Sequence, residues 1–188
     1  MRQIVFALLA ILPLLHGCTA AVVGGAAATG VVVAQDRRTV GAITEDESIE
    51  IKTGNRISNR FPEGIHVNVT SYNRIVLLTG EVPDAATKTE IGRIARGVEN
   101  VRNVVNELAI AGESSYTVRG NDGVITSKVK ARFVDAGKFN ALHVKVVTEN
   151  SIVYLMGIVT KKEAEDATEI ARTTSGVQKV VRVFEYTN

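Results

Sequence analysis

Few side chains in this sequence are placed for chemistry. Cys18 is the single cysteine among 188 residues, and a thiolate is the one side chain here that a diacylglyceryl donor can alkylate at neutral pH. With no second thiol, an intrachain disulfide is excluded. His66 and His143 stand at the same phase of two similar segments, Ile65-His66-Val67 and Leu142-His143-Val144, which raises the question of a metal. Each lies between apolar neighbours with no third ligand spaced nearby, so both are expected to be solvated strand histidines, and no metal or cofactor is expected. Lys128, Lys130 and Arg132 cluster within five residues and can present cations to phosphate. The acids Glu45/Glu47 and Glu163/Glu165/Asp166 are expected in a linker and at a helix start, where carboxylates favour the dipole. The sequence contains no His-Glu-x-x-His, no Gly-x-Ser-x-Gly and no dinucleotide fingerprint, so no enzyme is expected.

The elements that position these residues begin with a leader. Arg2 is followed by an apolar run from Ile4 to Leu15, the layout of a secretory signal peptide and too short to cross a bilayer. The run ends in Leu15-His16-Gly17-Cys18, which resembles the bacterial lipobox. That resemblance implies cleavage after residue 17 and lipid attachment at Cys18, and Thr19 in the next position implies sorting to the outer membrane. Residues 18–45 then read as the lipidated amino terminus and a small-residue tether. The composition of the full sequence is globular, with 45% hydrophobic and 22% charged residues, too apolar for a disordered chain. A net charge of +2 lacks the strongly basic face that nucleic-acid binding requires, so no nucleic-acid partner is expected.

Sliding the chain against itself exposes an internal duplication. Ile65-His66-Val67-Asn68-Val69 matches Leu142-His143-Val144-Lys145-Val146, and Ile75 to Gly80 matches Ile152 to Gly157 at the same offset of 157 − 80 = 77 residues. Ile94-Ala95-Arg96 matches Ile170-Ala171-Arg172 one residue closer, and Val101-x-x-Val104-Val105 matches Val177-x-x-Val180-Val181. Each copy reads as helix, strand, strand, helix, strand. The first strands alternate apolar and polar residues, the second are nearly continuous apolar runs, and Asn73 and Asn150 supply the turn chemistry of hairpins. Ile91, Ile94, Ala95 and Val98, like Ala167, Ile170, Ala171 and Thr174, give each later helix one apolar stripe. Asp84 and the capping box starting at Thr160 mark their starts. The fold class is α+β, with a three-stranded mixed sheet packed on two helices in each copy.

This order of motifs resembles the BON (bacterial OsmY and nodulation) family, in its form with two tandem BON domains behind a lipobox. The carriers are Asp36-Arg37-Arg38-Thr39-x-Gly41, Tyr72-Asn73-Arg74 with Leu77-Leu78-x-Gly80, Thr126-Ser127-Lys128-Val129, Tyr154-Leu155-Met156-Gly157 and Ser175-Gly176-Val177. The domains are then 46–111 and 122–188, joined by a linker at 112–121. The resemblance implies a non-enzymatic lipoprotein facing the periplasm that binds anionic phospholipid such as phosphatidylglycerol or cardiolipin, preserves outer-membrane integrity and gathers at the division site. It implies a lipid surface on the first helix of the second domain, about residues 124–136. There Ile125, Val129 and Phe133 should pack inward, with Val124, Ser127, Lys128, Lys130, Ala131 and Arg132 left for lipid. The competing reading is an interaction module whose exposed sheet faces dock outer-membrane assembly or cell-wall proteins.

Overall fold

The computed structural model describes residues 36–187. In the first repeat, α1 (Val40–Arg60) is followed by the hairpin β1 (His66–Tyr72) and β2 (Ile75–Val82), then α2 (Ala85–Arg96), β3 (Asn103–Asn106) and β4 (Ala109–Ile110). In the second, α3 (Tyr116–Ala136) leads through a 3-10 turn (Ala141–His143) to β5 (Val144–Glu149), β6 (Ile152–Val159), α4 (Lys161–Arg172) and β7 (Lys179–Tyr186). The middle strand of each sheet, β2 or β6, pairs antiparallel with its hairpin partner and parallel with the strand after the helix. β3 and β4 both pair with β2, so they share the third position of the first sheet. The duplication extends to register: Val67 faces Gly80 in one sheet and Val144 faces Gly157 in the other.

Both hairpins turn through two residues at positive φ, Asn73 and Arg74 in one, Asn150 and Ser151 in the other. That geometry matches the right-handed twist of the strands it joins. A buried aspartate on the first helix of each repeat fixes the turn. Asp46 accepts hydrogen bonds from the N–H groups of Asn73 and Arg74 and from the Ser71 hydroxyl, each at 2.7 Å. Asp122 accepts from the N–H groups of Asn150 at 2.9 Å and Ser151 at 2.8 Å. Near the other end of each hairpin, a Cβ on Gly80 or Gly157 would run into the carbonyl oxygen of His66 or His143. The absent side chain is what lets those backbones close together.

Strand alternation divides each sheet between two cores. Val76 and Leu78 pack with Ile49, Ile57, Ile91 and Ala95 beneath α1 and α2, and Val153 and Leu155 pack with Ile125, Val129, Phe133, Ile170 and Ala171 beneath α3 and α4. The opposite faces meet each other: Tyr72 and Leu77 of the first sheet form one buried cluster with Tyr154, Met156 and Val183 of the second. The protein is a sandwich of helices, sheet, sheet and helices. Sheet faces that the docking reading takes as exposed are therefore covered, and that version of the reading is corrected. Middle strands apolar on both faces are the physical cause, since each is covered on both sides.

Two helices extend upstream of the domains read from the sequence. α1 starts at Val40, capped by the Thr39 hydroxyl, so the stretch 40–45 read as tether is helical and Glu45-Asp46-Glu47 lie in a helix rather than a linker. α3 starts at Tyr116, capped by Ser115, so only 112–115 of the segment read as linker 112–121 is outside it. The opening turns, Val40-Gly41-Ala42-Ile43 and Tyr116-Thr117-Val118-Arg119-Gly120, carry glycine and bury no residue fully, so no core-facing stripe marked either start. The leader, Cys18 and most of the tether lie outside the described residues.

Candidate lipid-facing helix and the seam between the repeats

α3 buries Asp122, Ile125, Val129 and Phe133 against the second sheet. At 3.6 residues per turn, the direction away from the sheet falls on Val124, Ser127, Ala131 and Val134, all exposed, with Val124 51% and Val134 68% accessible. Lys128 and Lys130 are two positions apart, hence about 160° apart around the axis, and flank this ridge on opposite sides. Both are exposed, and neither makes a hydrogen bond or ion pair among the described residues. The aliphatic stem of a lysine can lie along apolar material while its ammonium reaches polar surroundings.

Arg132 differs from its two neighbours. It is partly buried and donates to the Ile170 carbonyl at 2.9 Å, the Thr174 hydroxyl at 2.8 Å and the Thr173 hydroxyl at 3.1 Å. These groups lie at the C-terminal end of α4, where exposed carbonyls attract a cation. Its guanidinium ties α3 to α4, and its charge adds to the local field without being free for a ligand. The wheel places Arg132 on the same side as Lys128, but its flank faces a neighbouring helix that no local pattern reveals. The start at Tyr116 adds a further exposed aromatic, 89% accessible, with its ring beneath Arg119.

Local spacing does not reveal the seam where the repeats meet. His66 is not a solvated strand histidine: its side chain is 14% accessible, and Nδ1 lies 2.9 Å from Glu81 Oε2 and 3.9 Å from Glu149 Oε1. Both carboxylates are buried. Asn68 donates to Glu149 at 2.7 Å, Asn150 donates to Glu81, and the Ser114 N–H reaches Glu81 at 3.2 Å. Burial by itself would push the Glu81 carboxyl up, but hydrogen bonds from Asn150, His66 and Ser114 outweigh it and hold it below the usual carboxylate range. Tyr154 has its phenol pushed up to about 12 by burial and by the nearby Glu107 and Glu149. His143, expected to be the matching solvated residue, sits in the 3-10 turn with Nδ1 3.7 Å from Glu163. Sequence spacing could not find the His66 group, because its carboxylates come from β2 and from the other repeat.

Arg37 and Glu185 add two more ties across the seam. Arg37 forms a forked pair with Glu163 at 2.7 and 2.8 Å and donates to the Ile158 carbonyl. Glu185 accepts from Asn73 and from Arg102, each at 2.7 Å. The forked pair is the main reason the Glu163 carboxyl is held down, at about 2. One signal was available for the buried aspartates: Asp46 and Asp122 are separated by 76 residues, the offset of the duplication.

Residues 45–112 and 121–188 each match the BON domain family. The chain is 41% identical over 175 residues to the outer membrane lipoprotein DolP of Haemophilus influenzae, covering 92% of this chain and 90% of that one. It is 31% identical over 153 residues to a 21 kDa hemolysin of Actinobacillus pleuropneumoniae, covering 80% and 79%. It is 32% identical over 117 residues to the osmotically-inducible protein Y of Escherichia coli, covering 61% and 58%. No helix among the described residues is long and apolar enough to cross a membrane. With two matched domains and identity along nearly its whole length to a named outer-membrane lipoprotein, the chain belongs to the BON-domain family as a DolP-like, two-domain lipoprotein of the outer membrane.

Proposed function

We infer that this lipoprotein is held by acyl chains on Cys18, faces the periplasm, and binds anionic phospholipid through α3, without catalysing a reaction. The observation that carries this reading is the outward face of α3, where Val124, Ser127, Ala131 and Val134 form an exposed ridge of small and apolar side chains between Lys128 and Lys130. Laid against a bilayer surface, such a helix would turn its ridge toward the acyl boundary and its cations toward the headgroups. Arg132 supports the helix from its base. A tether at Cys18 raises the effective concentration of α3 at lipid, so modest intrinsic affinity is enough. The protein's proposed physiological role, on the strength of the family resemblance, is preservation of outer-membrane integrity, including at the division site.

Vesicle cosedimentation tests the reading. Each lysine near an anionic surface contributes about 1 kcal/mol, so Lys128→Gln with Lys130→Gln should weaken binding to phosphatidylglycerol vesicles by roughly thirtyfold. Binding to phosphatidylcholine vesicles should be weak for both proteins. Equal binding of the double variant and the parent to phosphatidylglycerol would refute the reading. In that case contact with outer-membrane assembly or cell-wall proteins, through the helical faces, becomes the leading account.

A further inference from the structure

Buried carboxylates are normally paired with a cation or bound to a metal, because an uncompensated charge in a low-dielectric setting is costly. Glu81 and Glu149 are 2% and 6% accessible, and neither has a lysine or arginine partner among the described residues. They share one imidazole, that of His66. With His66 neutral the group carries two negative charges, and with His66 protonated it still carries one. The hydrogen bonds from Asn68, Asn150 and Ser114 orient the oxygens but bring no positive charge.

The donor atoms are also grouped as a metal needs. One nitrogen of His66 and one oxygen of each glutamate all lie within 4.8 Å of one another. Metal bonds of about 2.0–2.2 Å to nitrogen and oxygen require donors no more than about 4 Å apart, so small side-chain movements complete the arrangement. His66 and Glu149 open on a cleft also lined by Asn68, Arg119, Thr126 and Thr148, which supplies an entry path and room for a coordinating water. Asn68, beside His66 Nε2 at 3.4 Å and bonded to Glu149, steadies ligands on both repeats.

We propose that His66, Glu81 and Glu149 form a binding site for a divalent transition metal, Zn²⁺ or a similar ion, that bridges the two BON domains. The ion takes the place of the proton at His66 Nδ1, which passes to solvent, and two carboxylates balance its charge. An imidazole in the set favours Zn²⁺ over Ca²⁺ or Mg²⁺, which prefer oxygen ligands alone. Two ligands come from β1 and β2 and the third from the end of β5, so the ion pins the seam.

The test is calorimetric titration of Zn²⁺ into the untagged, acylated full chain in non-ionic detergent, with Mg²⁺ and Ca²⁺ in parallel and bound metal counted by mass spectrometry. One Zn²⁺ per chain, a raised unfolding temperature with metal, and weak Mg²⁺ and Ca²⁺ binding are expected. His66→Ala and Glu149→Gln should each reduce Zn²⁺ affinity by about tenfold or more, whereas His143→Ala should leave it unchanged. Zinc X-ray absorption should show one imidazole among oxygen ligands. Circular dichroism of the metal-free variants separates a lost ligand from a lost fold, and Glu149→Gln keeps the shape of the side chain. No Zn²⁺ binding by the folded parent, or binding unchanged in the folded Glu149→Gln protein, overturns the proposal.

Discussion

Glu163 closes the capping box of α4 with Thr160 and receives the forked guanidinium of Arg37. Its folded-state pKa is about 2 against an ordinary 4.5. A depressed carboxylate stabilises the fold fully above its unfolded value and loses that contribution as pH falls toward the folded one. Arg37→Ala should therefore lower stability at neutral pH and flatten its pH dependence between about 4.5 and 2, as read by urea unfolding across that range. Asp122 is the second residue with a defined task. Asp122→Ala leaves two turn N–H groups without their acceptor and should cost about 2 kcal/mol, also measured by urea unfolding. The capping box and Asp84 cap were legible in the sequence because capping chemistry is local. The partners of Asp46 and Asp122 were not, because they lie 25 to 29 residues further along the chain.

Among the elements, α3 shows how far a helical wheel can be carried. The inward positions Ile125, Val129 and Phe133 are where periodicity puts them, and all are buried. Val124, Ser127 and Ala131 of the outward ridge are also assigned from the sequence, whereas the exposed Val134 is not. What periodicity cannot supply is the neighbour on each flank, which is why Arg132 bonds to α4 while Lys128 and Lys130 stay exposed. Arg132→Ala should consequently destabilise the second domain while changing lipid affinity much less than loss of the two lysines, as a thermal melt and cosedimentation would show side by side. The hairpins make a comparable point. Their turns were readable from Asn73 and Asn150, whereas the need for glycine near the far end depends on the register. Gly80→Ala would force a Cβ against the His66 carbonyl in a backbone at φ 115° and should cost more than about 2 kcal/mol, measured by denaturant unfolding.

For the whole molecule, the duplication fixed two similar α+β repeats, and the apolar runs of β2 and β6 carried the further sign that their sheets are buried on both sides. That sign does not say what covers the second face, since another domain, another copy or a partner would serve equally. The structure answers with the cluster of Leu77, Tyr154, Met156 and Val183. Met156 is completely buried there, and Met156→Ala should cost about 2–5 kcal/mol in chemical unfolding with secondary structure retained. Stacked sheets leave the helices as the outer layers, and α3 carries its exposed ridge on such a layer.

The central claim is that this ridge meets anionic lipid. Residue-resolved amide NMR during titration with phosphatidylglycerol micelles tests it most directly. The account predicts shifts concentrated at Val124, Ser127, Lys128, Lys130, Ala131 and Val134, with the amides of α1 and α2 unmoved. Silence along α3 while the protein remains folded, or shifts centred on the first repeat, would contradict it.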